Sequence, residues 1–304
     1  MRYWIFRKSR SESGFSSADD MEKNLVETIL SMTGIHITPD KYYLLESRLN
    51  EVMRECNFHS YDEIAALLKQ SHDSELAHSV IDKITTHETL FFREESIFDA
   101  LVLQILPEWL ERNPETATIP QNITVWSAGC STGQEPYSIA MAICEKFPKL
   151  SPRVKITATD ISRHTLEKAE KGIYTKFEID RGMPPHLLKK YFHEKIHAGN
   201  APPGNPLFEI SNDIKGMVQF RRHNLTSLET PGLFDIIFCR NVCIYFQEEL
   251  RKKIYESLIA SLKVDGALVL GAAETLYGII PNVIVRECGM ARYFEGNSSN
   301  VTFF

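Results

Sequence analysis

The sequence lacks a long hydrophobic run, a block of like charge and a paired cysteine motif. Its 304 residues carry a formal net charge of −6, and no apolar stretch approaches the roughly 20 residues that a membrane-spanning helix needs. Without a basic block, a general nucleic-acid surface is not expected. The opening MRYWIFRKSR has no continuous apolar core, so we do not expect it to be a secretory signal. We therefore expect a cytoplasmic protein without membrane insertion.

The six cysteines are scattered and form no CxxC pair, which fits a reducing compartment better than a disulfide framework. The closest two, Cys239 and Cys243, have no second ligand pair beside them. We therefore expect no metal site.

Hydrophobic spacing divides the chain. Residues 1–20 are serine-rich and predict a mobile tail. Between residues 21 and 84 apolar residues recur at helical spacing only, which predicts a small helical domain that reaches residue 95 with its linker. Residues 96–296 are expected to form the main domain, and residues 297–304 a second tail.

From residue 123 onward, strand patterns alternate with helix patterns. This alternation predicts an α/β domain with a mostly parallel sheet covered on both faces. The expected strands are 123–127, 154–159, 217–221, 234–239 and 267–271. The expected helices lie near 136–147, 163–171 and 247–263. The stretch from about 172 to 216 is too long for a loop and contains short strand-like pieces, so it predicts an inserted β subdomain.

The segment WSAGCSTGQEPYSIA, residues 126–140, looks like a nucleotide-binding loop that lacks its phosphate-binding residues. A P-loop needs Gly-Lys-Ser/Thr at the head of the helix, whereas Gly133 is followed by Gln134 and Glu135. The dinucleotide pattern G-x-G-x-x-G is absent as well. A carboxylate at a helix N-terminus repels phosphate. An equally good alternative is that Glu135 binds no ligand and only complements the helix dipole.

Asp160 directly follows the second expected strand, at its C-terminal edge beside this loop. In open α/β sheets an acid at that edge typically binds the ribose hydroxyls of a nucleotide. A ribose acceptor without a phosphate cradle suits a positively charged nucleoside. S-adenosylmethionine has this character, since it joins an adenosine to a sulfonium and has no phosphate.

Five segments in order resemble the chemotaxis receptor methyltransferases, the CheR family. They are THETLFFREES, VWSAGCSTGQEPYSIA, ATDISRHTLEKAEKGIY, NLTSLETPGLFDIIFCRNVCIYF and LKVDGALVLGAAE. The helical opening KYYLLESRLNEVMREC is similar too, so the likeness runs from about residue 24 to 295. The resemblance implies an adenosylmethionine-dependent methyltransferase of Rossmann-like fold, with an N-terminal all-helical domain and a small antiparallel β insertion.

The resemblance also implies a cofactor site. The matching positions are His87, Thr89, Arg93, Gln134, Glu135, Asp160, Asn224, Leu225, Arg240 and Asn241. Two of them depart from the family pattern, because His87 stands where asparagine is usual and Gln134 where glutamate is common. Structural alternatives stay open: Thr85 or Thr86 could cap the following helix, and Tyr245 and Phe246 could be core residues.

The implied reaction moves a methyl group from the sulfonium to a glutamate side chain of a chemoreceptor, giving a γ-methyl ester used in chemotactic adaptation. That carboxylate is ionised at pH 7, with a usual pKa of about 4.3, so no general base is needed. Rate must come from alignment and exclusion of water. Arg93 is the candidate that positions the carboxylate, and Tyr245 is the candidate second donor.

The implied partner is the cytoplasmic helical domain of the receptors, and a receptor C-terminal tail is a candidate partner for the β insertion. Lys41, Arg48 and Arg54 lie on roughly one side of an expected helix and are the candidate substrate-binding residues, with a solvated face as the alternative. We expect a monomer.

Other functions also stay open. One is methylation of RNA or a small molecule, for which the short RRH at 221–223 is the only local hint. The other is a non-catalytic signalling module that binds adenosylmethionine.

Overall fold

The computed structural model describes residues 18–114, 122–195, 206–281 and 283–295. The expected tail at 297–304, most of the expected tail at 1–20 and the middle of the expected insertion lie outside these residues. Within the described part, no helix is long and apolar enough to cross a membrane.

The described chain forms two compact units. The first comprises the described residues through Met32 together with Ile37–Val80, and the second comprises Thr33–His36 and the described residues from Ile81 onward. The domain boundaries expected from the sequence stay a prediction.

The first unit is helical. Its helices are α1 (Ala18–Thr33), α2 (Tyr42–Glu55), α3 (Tyr61–Gln70) and α4 (Glu75–Ile84), whose last residues belong to the second unit. The N-terminus of α3 is capped by the Ser60 hydroxyl, which accepts from the Glu63 backbone N–H at 3.4 Å. Apolar residues at the expected spacing are buried, including Leu25, Ile29, Leu45, Leu49, Val52, Ile64 and Leu68. Leu67, which shares the pattern, is 40% exposed.

The second unit is built on a seven-stranded sheet with a three-stranded sheet beside it. The strands are β1 (Ile123–Ala128), β2 (Val154–Asp160), β3 (Ile173–Thr175), β4 (Phe192–Lys195), β5 (Leu207–Ile210), β6 (Val218–Arg222), β7 (Phe234–Cys239), β8 (Leu262–Leu270), β9 (Ile284–Cys288) and β10 (Ala291–Glu295). The large sheet has the order β6-β2-β1-β7-β8-β10-β9, and its first five strands are parallel.

Helices lie on both faces of the large sheet and beside the small one. They are α5 (Glu95–Ala100), α6 (Leu106–Arg112), α7 (Gln134–Lys146), α8 (Arg163–Lys171), α9 (Lys176–Asp180), α10 (Pro185–Tyr191), α11 (Asn212–Lys215) and α12 (Glu248–Ala260). Because successive strand residues point to opposite faces, Ile236 packs in the core that contains α7, and Ile237 in the core that contains α12. The predicted α/β class with a mostly parallel sheet is confirmed.

The expected insertion contains a small antiparallel sheet of order β3-β5-β4. Tyr174 on β3 is fully buried, with its ring 4.9 Å from that of Phe91, and its hydroxyl donates to the Thr132 carbonyl at 2.8 Å. Phe91 therefore packs against the insertion, within the core of the second unit.

The C-terminal part of the sheet differs from the sequence-based expectation in two ways. The antiparallel strands β9 and β10 were not expected at all. The strand expected at 267–271 begins earlier, at Leu262, so the preceding helix ends at Ala260 and not near residue 263. The residues between the two expected elements, VDG at 264–266, belong to β8 in spite of an irregular backbone. Asp265 has a positive φ of 60°, and the pairing register with β7 shifts between Leu262 and Ala267.

Candidate active site

A cleft opens at the carboxyl edge of the parallel strands, within the second unit. Its open volume is about 1100 Å³. The loops after β1, β2, β6 and β7 contribute to it, as parallel-sheet topology favours. So do residues 84–90, which precede α5, and the Thr33–Ile35 segment. The sequence-predicted residues that line it are His87, Thr89, Arg93, Glu135, Asp160, Asn224, Leu225, Arg240, Asn241 and Tyr245.

The glycine loop after β1 is held close to the loop after β7. Gly129 has a φ of 78°, and a Cβ there would lie 2.4 Å from a methyl group of Val242. Gly133, with a φ of 92°, precedes α7 directly. Glycine is required at both positions, because an L side chain rarely adopts such a backbone.

Asp160 occupies the expected edge position at the end of β2. Its Oδ2 accepts from the Ser131 N–H at 2.8 Å, and its Oδ1 accepts from the Ser162 N–H at 3.0 Å. Burial raises the pKa of this carboxyl above its usual value, and the two backbone bonds oppose the rise. An ionised carboxylate has about four lone-pair sites, so both oxygens can accept further hydrogen bonds.

Glu135 and Gln134 have different environments. Glu135 lines the cleft, and its carboxylate accepts from the Ser127 hydroxyl at 2.7 Å and from Arg240 Nη1 at 3.0 Å. Gln134 is 2% exposed and accepts from the Thr132 hydroxyl at 2.8 Å. The structure does not place Gln134 among the residues that line the cleft.

Arg240 is the centre of a buried ion-pair network. Only 1% of its side chain is exposed; besides Glu135 it pairs with Glu94 at 3.2 Å and donates to the Arg93 carbonyl. The network joins the segment before α5, the head of α7 and the end of β7. Sequence reasoning did not identify Glu94 as a site residue, although it lies in the segment THETLFFREES, because its partner Arg240 lies 146 positions away.

The segment around His87 is anchored to the end of α4. His87 Nε2 lies 2.9 Å from the Asp82 carbonyl and 3.1 Å from the Thr85 hydroxyl. Thr85 also donates to the Ile81 carbonyl at 2.7 Å, so it closes α4 and does not cap the next helix. The capping alternative for this threonine was wrong. The N-terminal residue of α5 is preceded by Glu94, which makes no capping bond.

The loop after β6 brings two expected residues and one unexpected residue to the cleft. Asn224 Oδ1 accepts from the Thr226 N–H at 3.0 Å in a local turn, and Leu225 lines the cleft beside it. His223 also lines the cleft, and its Nε2 is buried without a hydrogen-bond partner among the described residues. Burial lowers the pKa of this imidazole, so it is neutral at pH 7.

Arg93 and Tyr245 reach the same cleft. Arg93 is half-buried and its Nη1 donates to the Glu88 carbonyl at 3.3 Å. Tyr245 is 38% exposed, so the alternative that it is a core residue was wrong. Its backbone carbonyl accepts from the His36 N–H at 3.2 Å, and Phe246 forms a β-bridge with Ile35. The Thr33–His36 segment thereby forms part of the cleft wall.

The candidate substrate-binding residues belong to the first unit. Arg48 and Arg54 lie on α2, and Lys41 directly precedes it. Lys41 and Arg54 are exposed, and Arg48 is half-buried. Their role stays a prediction.

Among the described residues, no group of three metal-ligating side chains is present. Cys239 and Cys243 are buried with their Sγ atoms 3.7 Å apart. Their mutual hydrogen bond and burial raise the pKa of the Cys239 thiol well above its usual value, which makes it a poor thiolate donor.

Comparison with known proteins gives two family matches in chain order. Residues 23–85 match the family described as CheR methyltransferase, all-alpha domain, and residues 87–288 match the CheR methyltransferase, SAM binding domain. The second match includes most of the residues that line the cleft.

The chain is similar over most of its length to proteins named chemotaxis protein methyltransferase. The protein of Vibrio parahaemolyticus serotype O3:K6 is 35% identical over 275 residues, which cover 89% of this chain and 94% of that protein. Chemotaxis protein methyltransferase 1 of Pseudomonas aeruginosa is 36% identical, over 90% of this chain and 96% of that protein. The protein of Borreliella burgdorferi is 36% identical, over 85% of this chain and 89% of that protein.

Proposed function

Because this chain belongs to the CheR methyltransferase family, we propose that it transfers the methyl group of S-adenosylmethionine to glutamate side chains of chemoreceptors. The observation that carries this proposal is the cleft. Asp160, an acid suited to bind a ribose, and Arg93, a cation suited to bind a carboxylate, both line it. The proposed substrate is the cytoplasmic helical domain of the receptors.

The residues of the cleft suit this cofactor. Asp160 retains acceptor capacity for a ribose diol, and the glycine loop has no lysine that would select phosphate. Asn224 and Leu225, beside the neutral imidazole of His223, offer amide and apolar surface for an adenine ring. We infer that these residues hold S-adenosylmethionine, which supplies an electrophilic methyl group on a sulfonium when bound.

The protein's task in this reaction is to orient the substrate carboxylate and the methyl donor. A substrate glutamate is ionised at pH 7 and needs no base. His87 is not required as one, and its Nε2 is already engaged with Asp82 and Thr85. Arg93 presents a planar fork that can align a carboxylate, and Tyr245, which lines the same cleft, offers a hydroxyl. Displacement of water from the cleft by the bound cofactor and substrate would strengthen these contacts.

The direct test is labelling of membranes that contain chemoreceptors, with the protein and a tritiated cofactor. We expect label in the receptors that is released by base, because a methyl ester is base-labile. Base-stable label on RNA or a small molecule would replace the receptor substrate with another acceptor. Cofactor binding by calorimetry without transfer to any receptor would indicate a non-catalytic signalling module.

We predict that Asp160→Ala weakens cofactor binding by about 1.5–3 kcal/mol, as expected for lost hydrogen bonds to a charged group. Titration calorimetry with S-adenosylhomocysteine measures this change. Asp160 also accepts from the backbone N–H groups of Ser131 and Ser162, so its loss could disturb the loop as well as the ribose contact. A cofactor derivative that lacks the ribose hydroxyls distinguishes the two effects. The wild type should prefer the intact ribose, and the variant should bind the two compounds equally. A preference that survives the substitution contradicts the ribose role.

We further propose that the basic residues of α2 steer an acidic substrate helix to the protein. Reversing Arg48 and Arg54 to glutamate should lower kcat/KM for receptor methylation at low salt by about tenfold or more, and high salt should shrink the difference. Cofactor affinity should not change. Reversing the exposed Lys252 and Lys253 of α12 gives the same charge change elsewhere. Equal effects of the two reversals would indicate that net charge, and not this face, matters.

A further inference from the structure

Glu274, which follows β8, has an unusual set of hydrogen-bond partners. Its Oε2 accepts from the backbone N–H groups of Asn241 at 2.6 Å and Gly271 at 3.0 Å. Its Oε1 accepts from those of Cys243 at 2.8 Å and Val242 at 3.2 Å. One carboxylate thus satisfies four backbone donors.

Three of these donors belong to the segment Arg240–Phe246, here called the cleft loop. Asn241 has a φ of 58°, a left-handed conformation that is costly for a residue other than glycine. Successive N–H groups in such a turn point to one side and form an anion-binding nest. In this protein the anion is supplied internally, by Glu274.

The surroundings leave room for this carboxylate and little else. Glu274 is 8% exposed, and within the described part of the chain no ion pair to it is present. A Cβ on Gly271 would lie 2.8 Å from Glu274 Oε2 and 3.0 Å from the Asn241 nitrogen, so a larger residue there would push the two apart. Burial raises the pKa of Glu274, and its four backbone bonds oppose the rise.

The cleft loop carries Arg240, Asn241 and Tyr245 into the cleft, whereas Glu274 lies behind it and is not among the described residues that line the cavity. We propose that Glu274 is a positioning residue for methyl transfer, which fixes the cleft loop so that Asn241 and Tyr245 keep their places. The kinetic part of this inference rests on the function proposed above.

Glu274→Gln tests the proposal with little change in shape. The amide oxygen can still accept, but the NH₂ group cannot, so two of the four backbone donors lose their acceptor. Asp235→Asn is the matched control. Asp235 is also buried, but it lies near the start of β7, whereas the cleft loop follows the end of that strand. Its carboxylate accepts from Trp109, Thr124 and Lys263.

The first measurement is hydrogen exchange of the peptide that covers residues 240–246, which does not depend on activity. Glu274→Gln should speed exchange there, and Asp235→Asn should leave it at the wild-type rate, even where both variants lower the melting temperature equally. Unchanged exchange in Glu274→Gln overturns the proposal. If that variant does not fold, Glu274→Asp, which keeps the charge and shortens the reach, decides by the same comparison.

The second measurement is methyl transfer at saturating cofactor and substrate. Misplacement of a reacting group by about 1 Å costs on the order of 100-fold in rate, so Glu274→Gln should lower kcat by about 10–100-fold, and Asp235→Asn should not. If Glu274 acts through Tyr245, then Tyr245→Phe should cost less in the Glu274→Gln background than in the wild type. Faster exchange with a wild-type kcat overturns the positioning role. Wild-type protein that fails to methylate receptors refutes the proposed function alone, and the exchange result still stands.

Discussion

Replacing Arg240 with methionine is expected to destabilise the second unit by about 3–5 kcal/mol, the usual cost of removing one partner from a buried ion pair. The side chain is 1% exposed and lies between Glu135 and Glu94. Its loss leaves two mostly buried carboxylates without their cation. The Ser127 hydroxyl still donates to Glu135 and the Ala272 N–H to Glu94, but neither donor replaces the positive charge. Urea unfolding followed by tryptophan fluorescence measures the change, because Trp109 and Trp126 both belong to this unit.

The control is Arg292→Met, which removes an exposed ion pair with Glu287 on the same sheet. The two partners are 56% and 66% exposed, and such pairs contribute about 0–1 kcal/mol. Adding Glu135→Gln to Arg240→Met should recover part of the lost stability, since one unpaired charge is then removed. Equal, small losses for Arg240→Met and Arg292→Met would show that the network does not stabilise the fold.

The sequence places the Glu135 carboxylate at the N-terminus of a helix, but it does not reveal that this carboxylate belongs to an ion-pair network. The pattern Gly-Gln-Glu places Glu135 at a helix start, where it could complement a dipole or bind a ligand. Its principal partner, Arg240, lies 105 positions later. Neither alternative includes that ion pair, and local spacing carries no information about it.

The parallel part of the fold was predictable because its signals are local. Buried parallel strands are continuous apolar runs, and the expected strand at 234–239 coincides with β7, in which all six residues are buried. The helix expected at 163–171 coincides with α8, which is capped by Ser162 and ends at Gly172 in the left-handed conformation. Caps and glycine stops are readable in a sequence.

The antiparallel edge was not predictable in this way. Four of the five residues of β9 are exposed and two of them are charged, Arg286 and Glu287. An edge strand with charged residues shows no continuous apolar run, and charge at an edge is a common protection against aggregation. Its pairing with β10 depends on contacts across the hairpin that a periodicity analysis does not detect.

The site residues also divide into those marked by a local sequence signal and those that depend on long-range contacts. Asp160 could be placed from the strand pattern, because ligands bind at the edge where parallel strands end, whereas the family resemblance alone indicates Asn241. The orientation of Gln134 could not be predicted, since adjacent helix residues point about 100° apart and only the tertiary packing decides which of them faces the cleft. Glu274 ends the segment LKVDGALVLGAAE, which resembles the family, but nothing in its local spacing indicates what it does. Its role arises from four backbone donors, three of them in a loop more than 30 positions away.

The final prediction concerns Arg93, for which we expect Arg93→Lys to lower kcat of receptor methylation by about 10–100-fold at saturating cofactor. Lysine keeps the charge, but its ammonium is a point donor and cannot reproduce a planar two-point contact with a carboxylate. Tyr245→Phe should cost less, roughly 0.5–1.5 kcal/mol, the usual contribution of one neutral hydrogen bond. Because Arg93 also lines the cofactor cleft, cofactor affinity is measured separately by calorimetry.

Arg181→Lys is the matched control for this substitution. Arg181 pairs with the Glu88 carboxylate, and Arg93 donates to the Glu88 backbone carbonyl, so the two arginines share a neighbour. Only Arg93 is among the described residues that line the cleft. Arg181→Lys should therefore keep nearly the wild-type kcat, while Arg93→Lys should not. If Arg93→Lys weakens cofactor binding and leaves kcat unchanged, Arg93 holds the cofactor, and a different group must align the substrate carboxylate.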